Sequence, residues 1–154
     1  MRVIRIIRSA TLLLAGLSAC TGTAAIGPAV AYMPNRANAK CAIVKVVDGD
    51  TVHVQCVGSE KTSARLMGFD TPETYRPRCP AEAQLGAQAT RYLEQVLRRA
   101  ETIQPQTHGT DKYQRLLLEL TVDGRPLPDI MVEAGYAYRY DGGKRRNWCD
   151  ILGA

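Results

Sequence analysis

Three short segments of the sequence carry the side chains best suited to metal and acid–base chemistry. The central segment runs from Arg65 to Glu73, where a glycine and a proline break an apolar run and two carboxylates lie beside a guanidinium. Residues 48–51 (Asp-Gly-Asp-Thr) precede it, and residues 110–115 (Thr-Asp-Lys-Tyr-Gln-Arg) follow it. This composition is typical of a functional site rather than of a hydrophobic core.

The chemistry that these groups can support is hydrolysis of a phosphodiester, an anion that must be neutralised before water attacks it. Asp50 and Asp70 offer the hard oxygen ligands that Ca²⁺ prefers, and the backbone carbonyl of Thr71 is a possible third ligand. Glu73 lies three residues beyond Asp70, close enough to accept a proton from a water beside the metal. We therefore predict a divalent-metal phosphodiesterase site.

Arg65 and Arg115 supply two planar guanidiniums, each able to bind two phosphate oxygens. Each candidate also has a structural explanation when it is taken singly. Asp48 and Asp50 flank a glycine, as aspartates in turns often do, and Asp70 could cap a loop. An arginine within an apolar strand must find an anionic partner or point outward, and all the candidates together match one mechanism.

The first 39 residues have the pattern of an export signal. Three arginines lie among residues 1–8, and an uncharged stretch with an apolar run at residues 12–17 follows. Residues 17–20 resemble a lipoprotein cleavage box, which would leave Cys20 lipidated and the protein anchored in the cell envelope. Small residues at 29 and 31 and at 37 and 39 mark two alternative cleavage sites, which would release a periplasmic or secreted protein. We therefore predict export, with the folded domain at residues 40–154.

The charge of that domain is close to neutral. Four of the 20 basic residues precede Lys40 and all 15 acidic residues follow it, so residues 40–154 carry 16 − 15 = +1. This balance argues against nucleic-acid binding through overall charge, and any such binding must come from local placement of Arg and Lys.

Cysteine usage agrees with export. Apart from Cys20, the chain has four cysteines: Cys41, Cys56, Cys79 and Cys149. An even number in a small exported domain favours two disulfides, with three possible connectivities. Cys41 and Cys56 flank the 48–50 turn almost symmetrically, which favours their pairing and leaves Cys79 with Cys149. A zinc site is the alternative, but there is no Cys-x-x-Cys pair and the two histidines are isolated.

The apolar periodicity predicts the secondary structure. Alternating residues on either side of Asp48-Gly49 predict a β-hairpin, and residues 62–69 predict a third strand of a meander. A helix of about 20 residues is expected from Pro80. A short strand near 102–104, a long strand at 116–122 and a short helix at 128–134 follow. The predicted fold is α+β, a small five-stranded OB-type barrel with an inserted amphipathic helix and a short second helix.

The chain resembles the staphylococcal nuclease (thermonuclease) family over roughly residues 41–140. Three motifs, in the order found in that family, carry the resemblance: residues 48–51, 65–73 and 111–115. The resemblance implies Ca²⁺ as cofactor, DNA and RNA as substrates, and a role for each candidate residue. These roles are metal binding by Asp50, Asp70 and Thr71, general base by Glu73, scissile-phosphate binding by Arg65 and Arg115, and terminal-phosphate binding by Lys112 and Tyr113.

The expected function is thus an exported, calcium-dependent nuclease whose products end in 3′-phosphates. A non-catalytic OB-type nucleic-acid-binding module and an envelope-bound structural protein are the alternatives. Gln114 replaces a glycine of the family pattern, and a short tail at 144–148 stands where the family has a long C-terminal helix. The tyrosines at 136, 138 and 140 are either stacking faces for bases or ordinary buried residues.

Overall fold

The computed structural model describes residues 41–154. The predicted export signal, its cleavage sites and Cys20 lie outside the described residues. Within residues 41–154, no helix has the length and apolar character needed to cross a membrane.

The chain begins with the predicted three-stranded meander. Strand β1 (Cys41–Val46) pairs antiparallel with β2 (Thr51–Cys56), and β2 pairs antiparallel with β3 (Thr62–Leu66). Alternation in β2 buries Val52 and Val54, and an irregularity in β1 between Ile43 and Lys45 lets Ile43 and Val46 face the same core. Each of the four is at most 5 % exposed. The register places Thr51 opposite Arg65, so two of the predicted functional segments are neighbours in the sheet.

A second group of strands completes the main sheet. Strand β6 (Leu116–Val122) runs parallel to β3, while β5 (Ile103–Thr110) and the short β7 (Arg125–Pro126) run antiparallel to β6. The strand order is β1-β2-β3-β6-β5, and the mixed sheet curls into a half-barrel of the OB-like type. The predicted α+β class and OB-type architecture are confirmed.

The predicted third strand is interrupted. It ends at Leu66, and a separate strand β4 (Gly68–Asp70) pairs with β8 (Tyr138–Tyr140) in a two-stranded sheet. Gly68 has φ +87°, a left-handed conformation, and a Cβ there would lie 2.7 Å from the side chain of Pro128. The break carries Asp70 away from the main sheet and toward the C-terminal part of the chain.

Three helices accompany the sheets. Helix α1 (Pro80–Arg99) matches the predicted helix, and it buries Ala89, Leu93 and Leu97 on one face. Helix α2 (Leu127–Glu133) lies within one residue of the prediction, whereas the short α3 (Trp148–Ile151) was not predicted. Both predicted disulfides, Cys41–Cys56 and Cys79–Cys149, are present, and the second ties α3 to the start of α1.

Candidate active site

Asp50 joins the first predicted segment to the second. Its Oδ2 accepts hydrogen bonds from the backbone N–H of Thr71 at 3.2 Å and from the Thr71 hydroxyl at 3.1 Å. The turn can approach so closely because residue 49 is glycine. A Cβ on Gly49 would lie 2.7–2.9 Å from atoms of the Thr71 side chain. The sequence Asp-Gly-Asp therefore serves both the turn and the packing of Asp50 on Thr71.

Arg65 lies between the two buried aspartates. Its Nη1 contacts Oδ1 of Asp50, and its Nη2 lies 3.0 Å from Oδ1 of Asp70 and 3.3 Å from the carbonyl oxygen of Phe69. The arginine is 7 % exposed, so its charge is held inside the protein by these anionic partners. The predicted need of Arg65 for an anionic partner is met by both carboxylates.

Asp70 is 1 % exposed, and its carboxylate accepts three hydrogen bonds and forms a further ion pair with Arg145. Arg65 and Nε of Arg145 contact Oδ1, the latter at 2.9 Å, while the Tyr138 hydroxyl and the Trp148 indole N–H donate to Oδ2 at 2.9 and 3.4 Å. Neither Arg145 nor Trp148 was predicted from the sequence as a site residue. The sequence offers one indication for Trp148, because the indole N–H of a buried tryptophan needs a hydrogen-bond acceptor.

Glu73 lies half-buried in the loop between β4 and α1, and the buried Glu82 holds this loop. The backbone N–H of Glu73 donates to Oε1 of Glu82 at 3.4 Å, and the N–H of Arg78 donates to Oε2 at 2.6 Å. Oε1 of Glu73 itself accepts the N–H groups of Thr74 and Tyr75, each at 2.9 Å. These bonds orient the Glu73 carboxylate. Glu82 was not predicted, since its position alone reads as an acidic first helical turn.

Arg115 is fixed by a turn between β5 and β6. Asp111 Oδ2 accepts from Nε of Arg115 at 2.8 Å, and Asp111 Oδ1 accepts the backbone N–H groups of Arg115 and Tyr113 at 2.9 and 2.8 Å. Gln114 has φ +62°, a conformation that favours glycine, which accounts for the glycine expected there from the family pattern. Asp111 is therefore a positioning partner for the second predicted guanidinium.

Most of the predicted site residues line two neighbouring cavities. A cavity of about 50 Å³ is lined by residues from all three segments: Asp48, Asp50, Thr51, Arg65, Thr71, Pro72, Glu73, Arg115 and Arg145. Asp70 does not line it but lies behind Arg65 and Arg145. Lys112 and Tyr113 line a larger, open cavity of about 730 Å³, which shares Arg65, Arg115 and Arg145 with the small one. Tyr113 is 68 % exposed, so these two residues lie at the rim.

The donor set of the small cavity suits a hard divalent cation. Its carboxylate and hydroxyl oxygens come from Asp48, Asp50, Thr51, Thr71 and Glu73, with no sulfur or imidazole among the lining residues. Such sets are typical of Ca²⁺ and Mg²⁺ sites. Burial raises the pKa of Asp50 to about 6, although the Arg65 guanidinium opposes this rise. A nearby cation would reverse the effect of burial, because it favours the ionised carboxylate.

A second acidic group in the described residues is not a metal site. Cys79, Glu82 and Cys149 bring their ligand atoms close together, but the two cysteines form a disulfide and offer no thiolate. The predicted metal position therefore stays at Asp50, with Thr71 lining the same cavity and Asp70 behind Arg65 and Arg145.

Comparison with known proteins agrees with the geometry. Residues 63–149, more than half of the chain, match the family described as staphylococcal nuclease homologue. The chain is 34 % identical over 103 residues to the protein "Endonuclease YhcR" of Bacillus subtilis (strain 168), covering 62 % of this chain and 8 % of that protein. It is 29 % identical over 96 residues to an uncharacterized protein of Bacillus anthracis, covering 61 % of this chain and 44 % of the other.

The chain is also 52 % identical over 40 residues to an uncharacterized protein of Methanocaldococcus jannaschii. This match covers 26 % of this chain and 19 % of that protein. The chain thus spans less than half the length of each of these relatives. The matched region begins before Arg65 and includes two of the three functional segments together with the C-terminal tail. This protein belongs to the staphylococcal nuclease homologue family.

Proposed function

We propose that this chain is an exported, metal-dependent nuclease that hydrolyses phosphodiester bonds of DNA and RNA. The observation that carries the proposal is the composition of the small cavity. Two guanidiniums, a carboxylate held by backbone N–H groups and a buried aspartate meet there, and they come from three distant segments of the chain: Arg65, Arg115, Glu73 and Asp50. Membership of the family and the name of the Bacillus subtilis relative support the same reaction class.

Each group has a place in the proposed hydrolysis. Arg65 and Arg115 neutralise the phosphate and orient it, because both guanidiniums line the cavity. Glu73 takes a proton from water, and the resulting hydroxide oxygen bonds to phosphorus in line with the leaving group. The bond from phosphorus to the 5′-oxygen breaks, the 5′-oxygen is protonated, and the phosphate stays on the 3′-oxygen. These steps give the 3′-phosphate product.

Asp50, with Asp70 and the carbonyl of Thr71, would hold Ca²⁺, which supplies charge stabilisation for the phosphate oxygens when it is bound. The oxygen-only donor set of the small cavity, which includes Asp50 and Thr71 but not Asp70, supports a cation beside Asp50. Lys112 and Tyr113 would contact a further phosphate of the strand, since they line the larger cavity next to the two arginines.

Export would place the protein in the periplasm or outside the cell, with residues 1–39 removed as a signal and residues 40–154 forming the nuclease domain. The two disulfides support an oxidising compartment. Mass spectrometry of the mature protein would locate the cleavage site, and a diacylglycerol adduct on Cys20 would identify a lipid-anchored form instead.

The deciding experiment compares Glu73→Gln with wild type on fluorescent single-stranded DNA in Ca²⁺ and in chelator. We expect the substitution to lower kcat by about 10²–10⁴-fold, because glutamine cannot accept the proton. DNA binding measured by fluorescence anisotropy should survive. Glu60→Gln, at an exposed turn between β2 and β3, is the matched control and should cleave normally. Unchanged cleavage by Glu73→Gln would remove Glu73 from the mechanism, and DNA binding without any cleavage by wild type would favour a non-catalytic module.

A further inference from the structure

Arg145 is a third guanidinium at the candidate active site, and it lies outside the three segments from which the site was predicted. It lies in the loop at 141–147 between β8 and α3. Both ends of this loop are anchored, by the pairing of β8 with β4 and by the disulfide from Cys149 to Cys79. The N–H of Arg146 also donates to the Tyr138 hydroxyl at 2.9 Å. The fold thus holds the Arg145 side chain in front of Asp70.

The position of Arg145 is shared by both cavities. Its side chain lines the small cavity with Glu73 and Arg115, and it lines the larger one with Lys112 and Tyr113. A nucleic-acid strand that passes from the larger cavity into the smaller one would therefore pass Arg145. No other part of the C-terminal loop lines the small cavity.

The two arginines that contact Asp70 differ in how tightly their side chains are held. The Arg65 side chain is 9 % exposed and is also bound to Asp50, so it cannot leave without stranding a buried charge. The Arg145 side chain is 43 % exposed, and its partners are Oδ1 of Asp70 and the side chain of Tyr140. Such a long, half-exposed side chain can turn toward a ligand, because Asp70 keeps Arg65, Tyr138 and Trp148 as donors.

The charge of the site calls for an additional cation. Asp48, Asp50 and Glu73 line the small cavity and Asp70 lies behind it, against the positive charges of Arg65 and Arg115. Without Arg145 and without a bound metal ion, these carboxylates outnumber the guanidiniums by two, and a phosphate entering the cavity would be repelled. Arg145 removes half of that excess.

We propose that Arg145 binds a backbone phosphate of the nucleic-acid substrate at the junction of the two cavities, with Asp70 as its partner until the strand arrives. The proposal rests on the proposed function, because it names a substrate-binding residue of the same site. The ligand it assigns is the phosphodiester backbone of a single strand, and the contact is independent of base identity.

The test compares two variants that remove the same charge from the same loop, Arg145→Gln and Lys144→Gln. Lys144 is exposed and lines neither cavity. Binding of fluorescent single-stranded DNA is measured by anisotropy in chelator, without cleavage, across a range of salt concentrations. We expect Arg145→Gln to weaken binding about tenfold and to lower the slope of log K against log salt by about 0.7, the value for one lost phosphate contact on a single strand. Lys144→Gln should change binding less than threefold.

The outcomes separate this inference from the proposed function. Equal binding by the two variants, with wild type binding DNA, would overturn the role of Arg145 and leave the nuclease proposal standing. Absence of DNA binding by wild type would overturn both. If Arg145→Gln does not fold, as judged by circular dichroism, Arg145→Lys replaces it. Lysine keeps the positive charge but cannot bind two phosphate oxygens as a planar guanidinium does. Severalfold weaker DNA binding than wild type would therefore support the proposal, and unchanged binding would overturn it.

Discussion

The hydroxyl of Tyr138 donates a hydrogen bond of 2.9 Å to Oδ2 of Asp70, although 68 residues separate the two in the chain. The same oxygen of Tyr138 accepts the N–H of Arg146. Burial, together with the bond to Asp70, raises the pKa of Tyr138 to about 12, so the hydroxyl remains a donor at neutral pH. A tyrosine that reads as a stacking face or a core residue in the sequence thus supports a buried carboxylate.

Tyr138→Phe should lower the free energy of unfolding by about 1–2 kcal/mol, because Asp70 loses one donor and the N–H of Arg146 loses its acceptor. Urea denaturation measures this loss. Tyr140→Phe is the matched control on the same strand, since its hydroxyl donates to the carbonyl of Gly143 in an exposed loop, and it should cost less. An equal loss in the two variants would contradict a special role for the bond to Asp70.

Glu82→Gln should loosen the loop that carries Glu73. Oε1 and Oε2 of Glu82 each accept a different backbone N–H, and glutamine offers only one acceptor oxygen. One N–H is left without a partner, which should cost about 1–3 kcal/mol.

Hydrogen exchange measures the effect of Glu82→Gln directly, and we expect faster exchange of amides in residues 73–78 than in wild type. Glu94→Gln, on the same helix and away from the loop, should leave those amides unchanged. Identical exchange in wild type and Glu82→Gln would show that the loop is held by other contacts.

Acid should destabilise the protein partly through His53. Burial lowers the pKa of His53, and the nearby charges of Lys61 and Lys45 lower it further. Among the described residues, none hydrogen-bonds to its buried Nδ1. Because the folded-state pKa lies below the unfolded value of 6.5, the unfolded chain binds more protons in acid, and stability falls as the pH drops below about 6.5.

The measurement for His53 is the melting temperature at pH 5 and at pH 7.5 for wild type and His53→Gln. The difference between the two pH values should be smaller in the variant. His108→Gln, at an exposed position on β5, reports the effect of losing a histidine elsewhere. A pH difference unchanged by His53→Gln would assign the acid sensitivity to carboxylates alone.

The two disulfides should differ in their effect on the site. Cys79–Cys149 closes a separation of 70 residues and fixes α3 and the Arg145 loop, whereas Cys41–Cys56 closes 15 residues within a hairpin. Replacing both members of the longer bridge by alanine should cost about 4 kcal/mol, against about 3 kcal/mol for the shorter one.

The longer bridge alone should also affect DNA binding, because its loss releases the segment with Arg145 and Trp148. Anisotropy with single-stranded DNA in chelator should show severalfold weaker binding for Cys79→Ala/Cys149→Ala and little change for Cys41→Ala/Cys56→Ala. Equal binding by the two double variants would mean that the loop stays in place without its covalent tie.

Local sequence patterns predicted much of the secondary structure and many of the site residues. The apolar alternation of residues 41–56 and the helical spacing after Pro80 predicted the hairpin and α1, because burial of one face requires those periods. Five of the residues that line the small cavity were predicted from the sequence: Asp50, Arg65, Thr71, Glu73 and Arg115. Even the disulfide pairing followed from cysteine spacing around a turn.

Tertiary structure alone decided what surrounds Asp70. The break at Gly68, the pairing of β4 with β8 and the docking of α3 bring Tyr138, Arg145 and Trp148 onto one carboxylate. No periodicity in a sequence encodes such contacts, because they join residues about 70 positions apart and depend on how two sheets and a disulfide place the chain. The sequence determined which groups can do the chemistry, and the packing of the C-terminal segment decided how the central aspartate is held.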